Sequence, residues 1–279
     1  MGHMPWRLIL SPPGRGALNM AIDEAVMDAV ARGDSPPTLR LYSWSPPCLS
    51  VGYGQRGVQA LAARCARAGV GLVRRITGGR AVLHHIEVTY AISAPVGLRP
   101  EFTTVSESYR LFGECLRLGL AQVGIQCTLG ERPPRGGGRP RDMCFALAIG
   151  GDLRAGNAKV AGSAQARRDG TLLQQGSLPL VFDWGLQAAV FGEEAEAAHV
   201  EGSVVGAADL LAGGVSHERM CQALARGFAT VLGELRGQGL TSAEMGWAGE
   251  LASRKYGSQR WNLEGPAADG RVDVRRAEC

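Results

Sequence analysis

The 279-residue sequence predicts an α+β domain in which a mixed, largely antiparallel sheet is flanked by helices. Two observations carry this reading. Short apolar/polar runs are joined by glycine turns that suit hairpins, at Gly78-Gly79, Gly156-Asn157 and Asp169-Gly170. Segments of helical period stand singly among those runs, without the strict strand–helix alternation of a doubly wound nucleotide fold. The sequence contains no internal repeat.

Residues 17–32 (ALNMAIDEAVMDAVAR) place Leu18, Ile22, Ala25, Val26 and Ala29 on one face at helical spacing, and Gly33 is a natural stop. Pro36-Pro37 and Pro46-Pro47 bracket TLRLYSWS, whose alternation predicts a strand. A second helix is expected over 58–68, ended by Gly69. A third is expected over 105–123, opened by Ser106 with Tyr109, Phe112, Leu116 and Leu120 inward, and a fourth over 217–236. Strands are expected at 71–76, 80–84, 86–93, 145–154, 158–162 and 171–181. In 130–142 (GERPPRGGGRPRD), Pro133, Pro134 and Pro140 flank consecutive glycines, which predicts a mobile segment able to act as a lid.

Residues 1–3 read as an expression-tag remnant, 4–240 as one domain, and 241–279 as a polar segment. Trp247, Leu251, Tyr256 and Trp261 are expected to pack that segment back on the body, with the final residues disordered.

Composition excludes several classes. Hydrophobic residues make up 45% and charged residues 20%, an ordinary globular balance. No apolar run approaches the ~20 residues needed to span a bilayer, and no signal peptide is visible, so a cytoplasmic protein without a membrane partner is expected; a monomer is expected as well. Seven cysteines without a C-x-x-C pair, and five histidines without a ligand spacing, support neither a disulfide framework nor a metal site. Net charge of +4 is spread along the chain in short arginine pairs without interleaved aromatics, so no nucleic-acid partner is expected.

Among 30 basic residues only Lys159 and Lys255 are lysines. Lys159 opens a short strand followed by the small-residue corner Gly162-Ser163-Ala164, and Cys144 lies one hairpin upstream. A lone cysteine is most often a small buried hydrophobe, and a strand-edge lysine is most often structural. Together they suggest a dyad: a nearby ammonium favours the thiolate, which can attack a thioester carbonyl. The Arg74–His85 segment (RRITGGRAVLHH) adds a glycine turn where a ligand can approach backbone N–H groups, although alone it reads as a plain hairpin. It lacks the G-K-[ST] ending of a Walker loop.

RRITGGRAVLHHIEVTYAIS (74–93) and KVAGSAQARRDGTLLQQGSLPL (159–180) resemble the signature segments of the biotin/lipoate protein ligase and lipoyltransferase superfamily. Cys144 before Lys159, and Glu87-Val88-Thr89-Tyr90 after the histidines, are similar to the LipM-type octanoyltransferases. The resemblance covers nearly the whole chain. It implies the biotin/lipoate ligase catalytic-domain type of α+β fold and transfer of octanoate from octanoyl-acyl carrier protein to a lysine of a lipoyl domain. The acceptor would be the glycine-cleavage H protein or a 2-oxoacid dehydrogenase subunit, with no cofactor required. It further implies an acyl-thioester on Cys144 and a Lys159 that lowers the thiol pKa and holds the carbonyl. Arg75, Thr77, Gly78, Gly79, Arg80, His84, Gly162, Ser163, Ala164 and Gln165 would line the acyl pocket and polarise the oxyanion. His85 departs from the pattern, standing where an aspartate is expected. The alternatives are an ATP-dependent lipoate–protein ligase, an amidotransferase between lipoyl domains, and a non-catalytic docking module.

Overall fold

A computed structural model describes residues 5–130, 152–200 and 202–266. Cys144, nearly all of the 130–142 stretch, the first half of the expected 145–154 strand and the chain's last residues lie outside the described residues.

Strands β1 (Trp6–Leu10), β2 (Thr38–Tyr42), β6 (Glu87–Pro95), β7 (Thr128–Leu129), β8 (Leu153–Ala155), β9 (Ala158–Arg168), β10 (Thr171–Pro179) and β11 (Leu235–Gly237) form one sheet in the order β11-β1-β2-β6-β10-β9-β8-β7. Only the β1 pairings are parallel, so the sheet is mixed and mainly antiparallel. Strands β3 (Cys48–Val51), β4 (Gly71–Arg74) and β5 (Val82–His84) form a second sheet in the order β4-β3-β5. The helices are α1 (Gly16–Arg32), α2 (Gln59–Arg67), α3 (Val105–Gln122), α4 (Trp184–Phe191), α5 (Glu193–Val200), α6 (Ala207–Leu210), α7 (His217–Leu232) and α8 (Ser242–Leu251), with π-helical turns at Ala252–Tyr256 and Arg260–Glu264.

The sheet's two-residue period divides the core. Leu39, Leu41, Val88, Tyr90, Ile92, Leu172 and Leu178 face α3 and α7, while Tyr42, Ala91 and Leu173 face α1 and α8. Leu49, Val51 and Leu83 of the small sheet pack with α2 and α4 in a third cluster. Helices α3 and α7 cross at glycines: a Cβ on Gly227 would collide with the backbone of Cys115 and Gly119.

Several boundaries differ from the sequence reading. Helix α1 is buried on nearly every side, and Leu18, expected inward, is 43% exposed. The cap of α3 is Thr104, which accepts from the Glu107 amide, rather than Ser106. The fourth helix stops at Leu232 because Gly233 (φ 97°) turns the chain into β11, which pairs with β1. Gly78-Gly79 does not close a hairpin, since β3 lies between β4 and β5. The Asp169-Gly170 turn does join paired strands, with φ of 51° and 70°. Strand β9 runs well past the expected residue 162, to Arg168.

The C-terminal segment is fastened to α1 and the sheet by buried charges. Arg7 meets Glu244 through two bonds of 2.9 and 2.6 Å. Glu24 accepts from Lys255 Nζ at 2.8 Å, Tyr256 Oη at 2.6 Å and Arg168 Nη1 at 2.9 Å. Burial alone would raise the Glu24 carboxyl, but Lys255, Tyr256 and Arg168 outweigh it and hold it below its ordinary value. Arg74 donates to the carbonyls of Gly52, Gln55, Trp261 and Asn262, and burial, followed by the Arg56 and Arg75 charges, pulls it down to about 10.

Two outcomes follow from this packing. Gly227→Ala should cost about 3 kcal/mol, the upper end of overpacking penalties, and lower Tm by roughly 6–12 °C for a chain of this size. An unchanged melting curve would show that the helices do not approach as described. Because the folded Glu24 carboxyl sits below its unfolded value of about 4.3, its stabilisation is complete above that pH. It is lost as pH falls through the depressed folded value. Denaturant midpoints measured from pH 6 to pH 3 should therefore fall less steeply in Glu24→Gln than in the wild type, and parallel slopes would refute the assignment.

Candidate active site

A cavity of about 430 Å³, part of it open to solvent, lies between the two sheets. Register places Thr89, Ser177 and Gly162 side by side across β6, β10 and β9, and Gln175 beside Ala164 two residues further along. All five line the cavity, with Met20 of α1, Trp44 beyond β2, and Ser50, Val82 and His84 of the small sheet. The row through Gly162 defines one end and the row through Ala164 leads toward Met20.

Lys159 stands at the Gly162 end. Its backbone is pinned by bonds to Ser203 O at 2.9 Å and from Val205 N at 3.1 Å. The side chain is buried and its Nζ lies 2.8 Å from Asp152 Oδ2. A Cβ at residue 162 would lie 2.9 Å from Lys159 Cε and 3.1 Å from Nζ, so glycine gives the ammonium its room beside the cavity wall. A buried ammonium without a carboxylate would be strongly unfavourable, and Asp152, immediately before β8, supplies one.

His84 closes the opposite side of the same end. Its Nδ1 is 2.7 Å from Glu87 Oε1 and its Nε2 is 2.7 Å from Ser50 Oγ, while its ring stacks on Trp44 at 4.0 Å. Glu87 also accepts from Ser177 at 2.6 Å and from Thr89, which in turn accepts from Trp44 Nε1 at 2.7 Å. Burial would raise the Glu87 carboxyl, but His84, Ser177 and Thr89 together hold it below the usual carboxylate value. Arg75 reaches Ser50 Oγ at 3.0 Å and ties down the glycine turn through the Gly78 and Arg80 carbonyls at 2.7 and 2.8 Å.

The residues singled out from sequence thus divide. Lys159 packs on Gly162, and Arg75, His84, Gly162, Ser163 and Ala164 line the cavity. Thr77 instead donates to Gln175 at 2.7 Å, behind the wall, and the Gly78–Arg80 turn supports the wall from outside. Gln165 points to the opposite face of the sheet, where it bonds Ser108 of α3 at 3.0 Å and Gln174 at 2.9 Å. His85 lies at the surface, 3.1 Å from Asp183, the cap of α4. Sequence reasoning missed Ser50, Trp44, Asp152 and Ser177, and quoted Glu87 without a role. A glutamate three residues after a histidine was the one available signal. Among the described residues no cluster suits a metal ion, and no helix is long and apolar enough to cross a membrane.

A largely apolar cavity with a buried lysine packed against one of its lining glycines, walled by a mixed sheet and a small second sheet, suits an acyl-handling enzyme domain. The chain belongs to the lipoyl protein ligase A/B catalytic-domain family, whose model matches residues 15–229. It is similar to the octanoyltransferase LipM of Kyrpidia tusciae, at 39% identity over 92% of this chain and 98% of that protein. The octanoyltransferase LipM of Symbiobacterium thermophilum is 40% identical over the same shares. Among solved structures, a bi-partite lipoate protein ligase from Thermoplasma acidophilum is similar with a TM-score of 0.76 and 25% identity, covering 93% of this chain and 96% of that one. A lipoate-protein ligase A bound with ATP has the same TM-score and identity, covering 93% and 98%.

Gly162→Ala separates placement from stability. The clash falls on the far end of a flexible side chain, so the fold should survive, but the ammonium must move. A displacement near 1 Å costs about 100-fold in rate, so activity should fall by about that factor while Tm changes little. Full activity in this variant would remove Lys159 from the chemistry.

Proposed function

We propose that this octanoyltransferase takes its octanoyl group from octanoyl-acyl carrier protein, holds it as a thioester on Cys144, and passes it to a lysine of a lipoyl domain. The acceptor is the H protein of glycine cleavage or a 2-oxoacid dehydrogenase subunit. The observation that carries this reading is Lys159: a buried ammonium, held by Asp152, at one end of a largely apolar cavity. Such a charge suits a thiolate and the developing oxyanion of an acyl transfer.

The cysteines support it by contrast. Cys48, Cys65, Cys115, Cys127 and Cys221 are all buried and free. Burial pushes the Cys65, Cys127 and Cys221 thiols up to about 11, and those of Cys48 and Cys115 higher still, so all five are poor nucleophiles at neutral pH. The LipM relatives are octanoyltransferases, and the T. acidophilum ligase works with an E2 lipoyl domain in an archaeal lipoylation system. The reaction as proposed needs no ATP or metal.

Intact-mass spectrometry after incubation with octanoyl-acyl carrier protein should reveal an octanoyl adduct that hydroxylamine removes. Cys144→Ala should lose the adduct and turnover. Lys159→Ala should form it slowly, with the rate optimum moved to higher pH because the thiolate has lost its cation. Robust lipoylation of the acceptor from ATP and free lipoic acid, with no adduct from the carrier, would instead make the chain a ligase.

A further inference from the structure

Amide formation releases a proton, and Lys159 is engaged in an ion pair with Asp152 at 2.8 Å. We propose that Ser50, His84 and Glu87 form a proton relay that takes that proton from the attacking acceptor lysine. The inference rests on the octanoyl-transfer reading and assigns a base to its second half.

The hydrogen bonds around the three residues form one continuous chain, and with His84 in its neutral tautomer they share a single direction. Trp44 Nε1 can only donate, and it donates to Thr89 Oγ1, so the Thr89 hydrogen must point to Glu87. Ser177 gives its hydrogen to the other carboxylate oxygen at 2.6 Å. Glu87, held in its charged form, accepts only, so His84 carries its proton on Nδ1, 2.7 Å away. With Nδ1–H committed to Glu87, the neutral tautomer of the ring presents Nε2 as an acceptor. Arg75 can only donate and does so to Ser50 Oγ at 3.0 Å, which sends the Ser50 hydrogen to Nε2 at 2.7 Å. The chain ends at a hydroxyl that lines the cavity, backed by a neutral imidazole and an anion, the order found in acid–base relays of acyl transfer.

Position matches chemistry. Ser177 and Thr89, which grip Glu87, lie in the same cross-sheet row as Gly162, on which the Lys159 side chain rests. At ~4.8 Å between strands, the relay and the ammonium flank the same end of the cavity. In the step proposed, the neutral amine's lone pair forms the C–N bond as the C–S bond breaks and its electron pair leaves on sulfur. The N–H proton passes to Ser50 Oγ while the hydroxyl's own proton passes to His84 Nε2. Glu87 stabilises the imidazolium, which afterwards returns its proton to solvent. Ser50 touches the reacting amine, whereas Glu87 is a positioning residue acting through His84.

The test separates loading from discharge. Wild type, Ser50→Ala and Glu87→Gln are charged with octanoyl-acyl carrier protein, and adduct loss is then followed by intact mass with either a lipoyl domain or hydroxylamine as acceptor. The relay predicts discharge to the lipoyl domain slowed by about 100-fold beyond any change in loading, the low end of general-base contributions. Discharge to hydroxylamine, a small amine that can give up its N–H proton directly to water, should remain near wild type. Equal slowing of loading and of both discharges would reduce the network to scaffolding and overturn the proposal, as would unchanged discharge to the lipoyl domain. An adduct mapped to Ser50 would also overturn it, by making that hydroxyl a nucleophile. Failure of the wild type to load at all is the distinct result that removes the underlying transfer reading.

Discussion

The ion pair between Lys159 and Asp152 constrains the site more than any other contact. An ammonium this deeply buried is tolerable only opposite a carboxylate with good geometry, and the 2.8 Å contact provides it. Its position follows from local features: a β-bulge between β8 and β9, backbone bonds from Lys159 to the 203–205 stretch, and a glycine where any side chain would displace Nζ. Moving any of the three would move the charge relative to the cavity, so the hairpin that carries Lys159 and the cavity's end are one structural unit.

The remaining buried charges serve the fold rather than a surface. Arg7, Arg40 and Arg74 are among the largest fully buried side chains, and Arg75 is nearly so. Arg40 meets Asp23 at 2.6 Å, and Asp23 also accepts from Tyr42 and Gln175, which joins α1 to both the sheet and the cavity wall. The Arg74-Arg75 pair, read from sequence as a solvated face, is therefore part of the interior. These four guanidinium groups point inward, Arg7 and Arg40 onto carboxylates and Arg74 and Arg75 mainly onto carbonyl oxygens.

Much of this architecture is legible in the residues, and the departures have physical causes. The long amphipathic helices and the Asp169-Gly170 hairpin depend on local spacing and turn chemistry, which sequence displays directly. The Gly78-Gly79 turn reads as a hairpin because strand β3, four residues long, inserts between its neighbours through a tertiary pairing that no local signal announces. Gln165 falls in the expected cavity lining only if four successive residues of one strand form a single wall. Alternation sends it to the α3 face, and only the side-chain-poor Gly162-Ser163-Ala164 run reaches the cavity as a group. Asp152 and Ser50 escape sequence reasoning because an isolated polar residue in a short strand has no periodicity, and its partner is identified only when the sheets are assembled.

The charges around the cavity also discriminate between acyl donors. Lys159 is matched by Asp152, and Arg75 is matched through Ser50 and His84 by Glu87, so the described wall presents paired charges and no surplus cation. A free fatty or lipoic acid would bring a negative charge into this space with no unmatched partner to receive it, and desolvating that carboxylate would be costly. A thioester is uncharged. It can enter such a cavity at the cost of hydrogen bonds alone, and it develops negative charge on oxygen only in the transition state, where a fixed ammonium strengthens its interaction as the reaction proceeds. Charge balance among the described wall residues is therefore consistent with the thioester donor proposed above, and it supports the transferase reading over activation of a free acid in place.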